Sequence, residues 1–359
     1  QAVIDAVDEV GGRLLSCCIA RRGTDYLLTE AMIEELRRAG ITLEVFETDV
    51  AGAIAAHRAA VEAAGSAEGG NWYATFRELH EIEAKLTELA ARPHVTIEDI
   101  GNSIEGRDLW MLRITGSGGG AKPGVLLNGT QHAREWVSPM TVTYIAEELV
   151  NGYGVDARIT ELLDAVELFI IPVVNPDGYV YSWSDERLWR KNRRDNGDGS
   201  FGVDLNRNWA TGWGGPGSEP DTDHDLYHGL GPFSEPETGA LSAYYAAHPE
   251  IVVNIDFHAY GQLVLYPFGY QSGGPGDGGA HARPAAHGLA DQGRLLQSSR
   301  VHHREQIVLE MSSALLGRRT GRTGEPSMVE HDHAVVVGKR RHLLPPARGV
   351  AARPVSEDE

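Results

Sequence analysis

Gly124-Val125-Leu126-Leu127-Asn128, running into Gly129-Thr130-Gln131-His132-Ala133-Arg134-Glu135, is the stretch on which the fold turns. Its first part is short and apolar, which reads as a strand buried on both faces. Val137 to Val150 follows with a helical pattern, and Val166 to Val174 is a second, nearly all-apolar strand ending in the turn residues Asn175-Pro176-Asp177-Gly178. Strand, helix, strand predicts a parallel crossover and therefore an α/β fold. Upstream, the pattern predicts an amphipathic helix from Trp72 to Ala91, stopped by Pro93, then strands Val95 to Ile100 and Leu109 to Ile114 around Glu105-Gly106-Arg107. Downstream, Ser234-Glu235-Pro236-Glu237 predicts a capping box for a helix reaching His248, and Ile251 to Phe257 a further strand ending at His258.

Beyond this core the 359-residue chain divides by composition. Residues 1 to 70 contain a helical pattern with Thr29 as N-cap through Arg38, an alternating strand from Ile41 to Phe46 and an Ala-rich helix. They form a small α/β unit. It ends in Gly65-Ser66-Ala67-Glu68-Gly69-Gly70, the kind of small-residue connector that separates domains and is open to proteases. After Tyr270 no Phe, Trp or Tyr appears, and residues 271 to 359 carry 12 Lys and Arg against 10 Asp and Glu, whereas residues 1 to 270 carry 20 against 41. This last quarter is expected to be irregular or disordered.

The net charge of −19 is the wrong sign for a nucleic-acid or acidic-membrane binder, so any anionic ligand must be caught locally. No apolar run reaches the length of a membrane span, and Arg13 to Ala20 is too short and polar for the core of a secretion signal. The two cysteines, Cys17 and Cys18, are adjacent, which leaves no disulfide framework and no cysteine zinc cluster.

His132 and Glu135 stand three apart directly after a strand, where a loop lets both side chains converge in front of the sheet. The spacing alone is weak, since His80/Glu83 and His302/Glu305 repeat it, the first on an amphipathic helix and the second in the aberrant tail. His258, at the end of another strand, raises the first pair. Sites in open α/β sheets form outside the carboxyl ends of the strands, and two His with one carboxylate make a zinc set with an open position. On its own a strand-end histidine is more often satisfied by hydrogen bonds than by a metal.

Seven ordered segments give a more specific reading: Glu105-Gly106-Arg107, His132-Ala133-Arg134-Glu135-Trp136, Asn175-Pro176-Asp177-Gly178-Tyr179, Leu188-Trp189-Arg190-Lys191-Asn192-Arg193, Gly202-Val203-Asp204-Leu205-Asn206-Arg207-Asn208-Trp209, Pro232-Phe233-Ser234-Glu235-Pro236-Glu237-Thr238 and Asp256-Phe257-His258-Ala259-Tyr260. With them residues 71 to 270 resemble the zinc carboxypeptidases of the carboxypeptidase A and B type. The resemblance implies a mixed, largely parallel central sheet flanked by helices, with residues 1 to 70 as a pro-segment that covers the pocket until it is removed. It implies one Zn2+ per chain on His132, Glu135 and His258, with Asp204 orienting a ligand histidine. It also implies that Arg190 stabilises the oxyanion, that Asn206 and Arg207 clasp the substrate's terminal carboxylate and that Arg134 lies nearby, guanidinium forks being suited to carboxylates. Lys191, Arg193 and Arg194 read instead as a solvated basic run. The implied protein is a secreted monomer that hydrolyses the C-terminal residue of peptides and proteins.

Zinc acidifies water and polarises a carbonyl, but proton transfer still needs a general base. In the family this is a Glu on a late strand, accompanied by a late Tyr from a mobile loop. No Tyr follows Tyr270, and the one candidate for the base is Glu310 in Ile307-Val308-Leu309-Glu310, which lacks the flanking residues expected. A shift of reading frame after about Tyr270 would account for the joint loss of aromatics and motifs. Its rival is a pseudoenzyme that binds zinc and C-terminal carboxylates without catalysis. A structural or adhesion scaffold leaves Arg190, Asn206, Arg207 and the three ligands unexplained, and Asp195-Asn196-Gly197-Asp198-Gly199 lacks the downstream Glu of a calcium loop.

Overall fold

The computed structural model describes residues 2–15, 25–65, 71–260 and 337–338. They fall into two compact units, one of residues up to Phe76 together with 337–338, the other beginning at Arg77. The first unit contains α1 (Ala2–Glu9), β1 (Arg13–Leu14) paired antiparallel with β2 (Tyr26–Leu27), α2 (Glu30–Arg38), β3 (Glu44–Val45) and α3 (Val50–Gly65). Thr29 caps α2 as its sequence predicts, its hydroxyl accepting from the Met32 amide at 3.3 Å. The strand expected over Ile41 to Phe46 is reduced to two residues, which pair with Val337–Gly338. Val7, Leu14, Tyr26 and Leu36 are buried.

The second unit is built on one mixed sheet of β4 (Val95–Asn102), β5 (Asp108–Thr115), β6 (Gly124–Gly129), β7 (Glu167–Ile171) and β8 (Ile251–Phe257), in the spatial order β4-β5-β7-β6-β8. β4, β5 and β7 pair antiparallel, whereas β6 pairs parallel with both β7 and β8, so the parallel character is confined to β6, β7 and β8, and the candidate ligands follow two of these three strands. β6 and β7 are buried along their whole length, because helices cover both faces. Leu109, Met111, Leu126, Phe169, Ile171 and Ile251 pack with Leu241 and Tyr245 of α8 (Pro236–Ala247) in one core cluster. The alternate residues Leu112, Ile114, Leu127, Leu168 and Ile170 are equally buried. α4 (Leu79–Ala90) packs against β4 and β5, α5 (Val137–Gly152) against β6 and β8, and α6 (Ala157–Ala165) against β5 and β7.

Three local readings are corrected. The helix expected from Trp72 starts only at Leu79, after a separate 3-10 turn at Trp72–Ala74. Asn175-Pro176-Asp177-Gly178 is no turn between strands but the start of α7 (Pro176–Ser184), with the Asn175 side chain accepting from the Gly178 amide at 2.9 Å and Pro176 in the first turn. A side chain at Gly178 would meet the Lys191 carbonyl at 2.4 Å, so glycine serves close packing there. The cap of α8 is not Ser234: Glu235 occupies that position without a side-chain cap bond, and the Ser234 hydroxyl bonds Glu235 and Asn208 instead.

Candidate metal centre

β6 and β8 run in register, with Asn128 opposite Asp256 and Gly129 opposite Phe257, so the residues that follow them emerge side by side. The chain leaves β6 through Thr130, a buried non-glycine residue at φ 59°. That conformation costs energy and is held by three hydrogen bonds: Thr130 N to Ser138 Oγ at 3.0 Å, Thr130 Oγ1 to Pro172 O at 2.8 Å, and Asn175 N to Thr130 O at 3.1 Å. A side chain at Gly129 would meet Ser138 Oγ at 2.5 Å. Ser138 also donates to Phe257 O at 2.6 Å, tying the start of α5 to the end of β8. Asn175 donates to the carbonyls of Gln131 and Lys191, both at 3.1 Å, and Ala133 N reaches Arg190 O at 3.0 Å. The loops bearing His132 and Arg190 are thus fixed to each other through backbone groups.

Within this frame His132, Glu135 and His258 bring one ligand atom each within 4.8 Å of one another. His132 Nδ1 lies 2.7 Å from Glu135 Oε1, His258 Nδ1 lies 2.9 Å from Glu135 Oε2, and the two Nδ1 atoms are 3.1 Å apart. Ala259 N donates to Glu135 Oε2 at 3.0 Å. The opposite ring nitrogens face carboxylates: His132 Nε2 is 3.2 Å from Asp204 Oδ1, and His258 Nε2 is 2.6 Å from Asp256 Oδ2. With protons on both Nε2 atoms, two bare imidazole lone pairs and a carboxylate converge on one point. A metal ion shared by all three atoms relieves that arrangement, as does a proton on one of the two Nδ1 atoms. Two nitrogens and an oxygen at about 3 Å spacing suit tetrahedral zinc, whose bond lengths of about 2.0–2.1 Å put neighbouring donors about 3.3 Å apart. The residues present fit the ion.

The electrostatics follow from these contacts. Burial opposes ionisation of Glu135, but His132 and His258 outweigh it and hold the carboxyl well below its ordinary range. Burial likewise opposes charge on Asp204, and Arg190, His132 and Arg207 overcome it. Burial would lower His258, yet Asp256 and Glu135 raise it well above the usual imidazole range.

Of the remaining candidates, Asp204 and Asn206 touch the trio and Arg190 reaches it through Asp204, whereas Arg207 and Arg134 bond groups outside it. Arg190 is fully buried and grips Asp204 Oδ2 through Nε at 3.1 Å and Nη2 at 2.8 Å, while its Nη1 has no hydrogen-bond partner among the described residues. Asp204 Oδ1 also accepts from Asn206 N at 2.9 Å. Asn206 Nδ2 lies 3.3 Å from His258 Nε2, and its Oδ1 is another buried atom without a partner among the described residues. Arg207 bonds Gly217 O at 2.6 Å and Asn206 O at 2.9 Å, and Arg134 bonds Asp225 at 3.1 Å and Leu188 O at 3.3 Å. Glu310 lies outside the described residues.

The basic run after Arg190 is not a solvated face. Lys191 is buried with Nζ on Thr222 O at 2.7 Å, Arg194 pairs with Glu235 at 2.8 Å, and the Arg193 guanidinium lies 3.6 Å from the Tyr181 ring centre. Tertiary acceptors invisible in the local charge pattern capture these cations. The sequence reading also passed over Asp256, Asn128, Gln131 and Asp225. A signal for Asp256 existed, since it stands two before His258 and a strand places such residues on one face.

Comparison with known proteins follows the same lines. The family model described as zinc carboxypeptidase matches residues 82–323, extending past Tyr270. Carboxypeptidase A2 of Rattus norvegicus is 38% identical over 213 residues, covering 58% of this chain and 51% of that protein. Carboxypeptidase B of Astacus astacus is 40% identical over 212 residues, covering 57% and 68%. The crystal structure of carboxypeptidase A from Helicoverpa armigera superposes with a TM-score of 0.66 at 29% identity, over 72% of this chain and 66% of that one. The chain spans about half the length of the Rattus norvegicus relative.

Proposed function

We propose that this chain, which belongs to the zinc carboxypeptidase family, is built to take the C-terminal residue of a peptide or protein and hydrolyse the bond that holds it. The observation that carries this reading is the convergence of His132, Glu135 and His258 beside the buried Arg190–Asp204 pair. What a zinc ion on those three residues supplies when bound is Lewis acidity toward a carbonyl and a more acidic water. Arg190 is the donor for charge developing on the scissile carbonyl: its Nη1 is buried and without a partner among the described residues, and Asp204 fixes the guanidinium in advance. Asn206 and Arg207 hold the substrate's terminal carboxylate, with Arg134 at the margin and kept in place by Asp225. The protein so read is a secreted monomer; no described helix is long and apolar enough to cross a membrane.

A second reading is a module that binds zinc and C-terminal carboxylates without turnover. It is favoured by the commitment of the carboxylates on the two histidines: Asp204 serves Arg190 and His132, and Asp256 serves His258 and Asn128, so neither is available as general base. Turnover would then require Glu310. Hydrolysis of a blocked dipeptide with a free C-terminus, and of its amidated counterpart, separates the readings. Turnover of the free acid alone, lost with chelator and with Glu310→Gln, supports the enzyme. Tight binding of a carboxylate inhibitor with turnover lower by about a hundredfold to ten-thousandfold than in a chimera carrying a family-like C-terminus supports the binding module. Failure to distinguish free acid from amide by binding or by turnover contradicts both.

A further inference from the structure

We propose that Asp256 is a positioning residue for the metal centre, fixing His258 as Asp204 fixes His132, so that each histidine ligand is held by a carboxylate on its Nε2. The assignment rests on the zinc reading of the trio. Asp256 Oδ2 lies 2.6 Å from His258 Nε2, the ring nitrogen that faces away from Glu135, and the Asp256 side chain is 9% exposed. The two residues stand at i and i+2 of the β8 end and so share a face.

The carboxylate is itself held. Asn128, opposite it in the parallel register, donates through Nδ2 to Asp256 Oδ1 at 2.6 Å, and Gln131 Nε2 donates to Oδ2. Gln131 is oriented by Trp209, whose Nε1 donates to Gln131 Oε1 at 2.9 Å. A chain of fixed groups therefore runs from Trp209 through Gln131 and Asp256 to His258. The consequence is a choice of tautomer. A carboxylate at 2.6 Å puts the ring proton on Nε2, which leaves Nδ1 as a lone pair toward Glu135 and His132 and raises its basicity. Asn206, also near Nε2, fits the same assignment when its amide is turned, since amide nitrogen and oxygen are nearly isosteric. The turn brings Oδ1, otherwise without a partner among the described residues, to face the N–H.

The test is zinc affinity, measured by competition with a chromophoric chelator on the full chain, for wild type, Asp256→Asn and Asp204→Asn, with thermal melting of the metal-free proteins and the absorption spectrum of cobalt-loaded samples. Asp256→Asn keeps the shape and the Asn128 bond but removes the charge that selects the tautomer. Its zinc dissociation constant should rise by about tenfold to a hundredfold, comparably to Asp204→Asn, with an altered cobalt spectrum and a metal-free melting point close to wild type. Unchanged affinity in Asp256→Asn, with Asp204→Asn weakened, overturns the assignment. If Asp256→Asn does not fold, Asn128→Ala carries the test. It leaves every ligand and the carboxylate in place, so a weakening of several-fold is expected and no change overturns the proposal. A wild type that takes up no zinc overturns the metal reading itself, an outcome distinct from wild-type binding with an indifferent Asp256→Asn.

Discussion

Glu237 shows how a single residue couples this core to pH. It is fully buried, accepts from Ile104 N at 3.1 Å and Asn192 Nδ2 at 3.3 Å, and sits near Glu235, which Arg194 neutralises. Burial, aided by Glu235 and opposed by the donated hydrogen bonds, pushes its carboxyl up to about 7. A carboxyl raised on folding contributes stability that is complete below its unfolded value and is lost as pH rises through its folded value. The window is therefore about pH 4.5 to 7. Glu237→Gln should match wild type in denaturant unfolding at pH 4.5 and exceed it at pH 8 by on the order of 3 kcal/mol. A difference that does not change with pH would refute this account of the residue. Individual residues were unevenly legible in the sequence. His132, Glu135 and His258 stand out because each follows a strand, whereas Asp256 gains its meaning only from a register that sets it against Asn128. Asp225 has none until the fold brings Arg134 to it.

At the scale of elements, the strands were readable because β6 and β7 are buried on both faces and so carry uninterrupted apolar runs. α7 was not. Asn-Pro-Asp-Gly serves a turn and a helix start alike, and the choice is made by tertiary groups: Asn175 caps the helix while its amide nitrogen satisfies the carbonyls of Gln131 and Lys191. α6 was missed for a related reason. Its nine residues have a modest apolar stripe, and its start is marked chiefly by Asp156, whose carboxylate accepts from the Arg158 amide at 2.8 Å. Asn175→Ala tests the idea that this cap braces the metal centre. It removes a cap, worth about 1 kcal/mol, and strips a donor from two carbonyls, so a loss of about 2–4 kcal/mol is expected in denaturant unfolding, accompanied by weaker zinc binding. A loss under about 1 kcal/mol with zinc affinity unchanged would show that the bracing bonds carry no weight.

For the whole molecule, the Gly-rich segment at 65–70 stands shortly before the point where the first compact unit gives way to the second, and we read residues 1 to 70 as a removable segment. Limited proteolysis with mass measurement should give a first cut between Val61 and Trp72; early cuts confined to residues 77–260, with this connector resistant, would count against it. The parallel pairing of β6 with β7 was legible in the sequence as strand, helix, strand, whereas the antiparallel β4 and β5 that make the sheet mixed were implied only by the family resemblance. The tail from Gln271 was legible only as a change in composition. On the metal centre everything else depends. The most direct measurement is the zinc content, by elemental analysis, of purified wild type and His258→Ala, each confirmed as folded by circular dichroism. The prediction is one zinc per chain in wild type and a small fraction of that in His258→Ala; equal zinc in the two proteins would contradict the assignment of His132, Glu135 and His258 as one site.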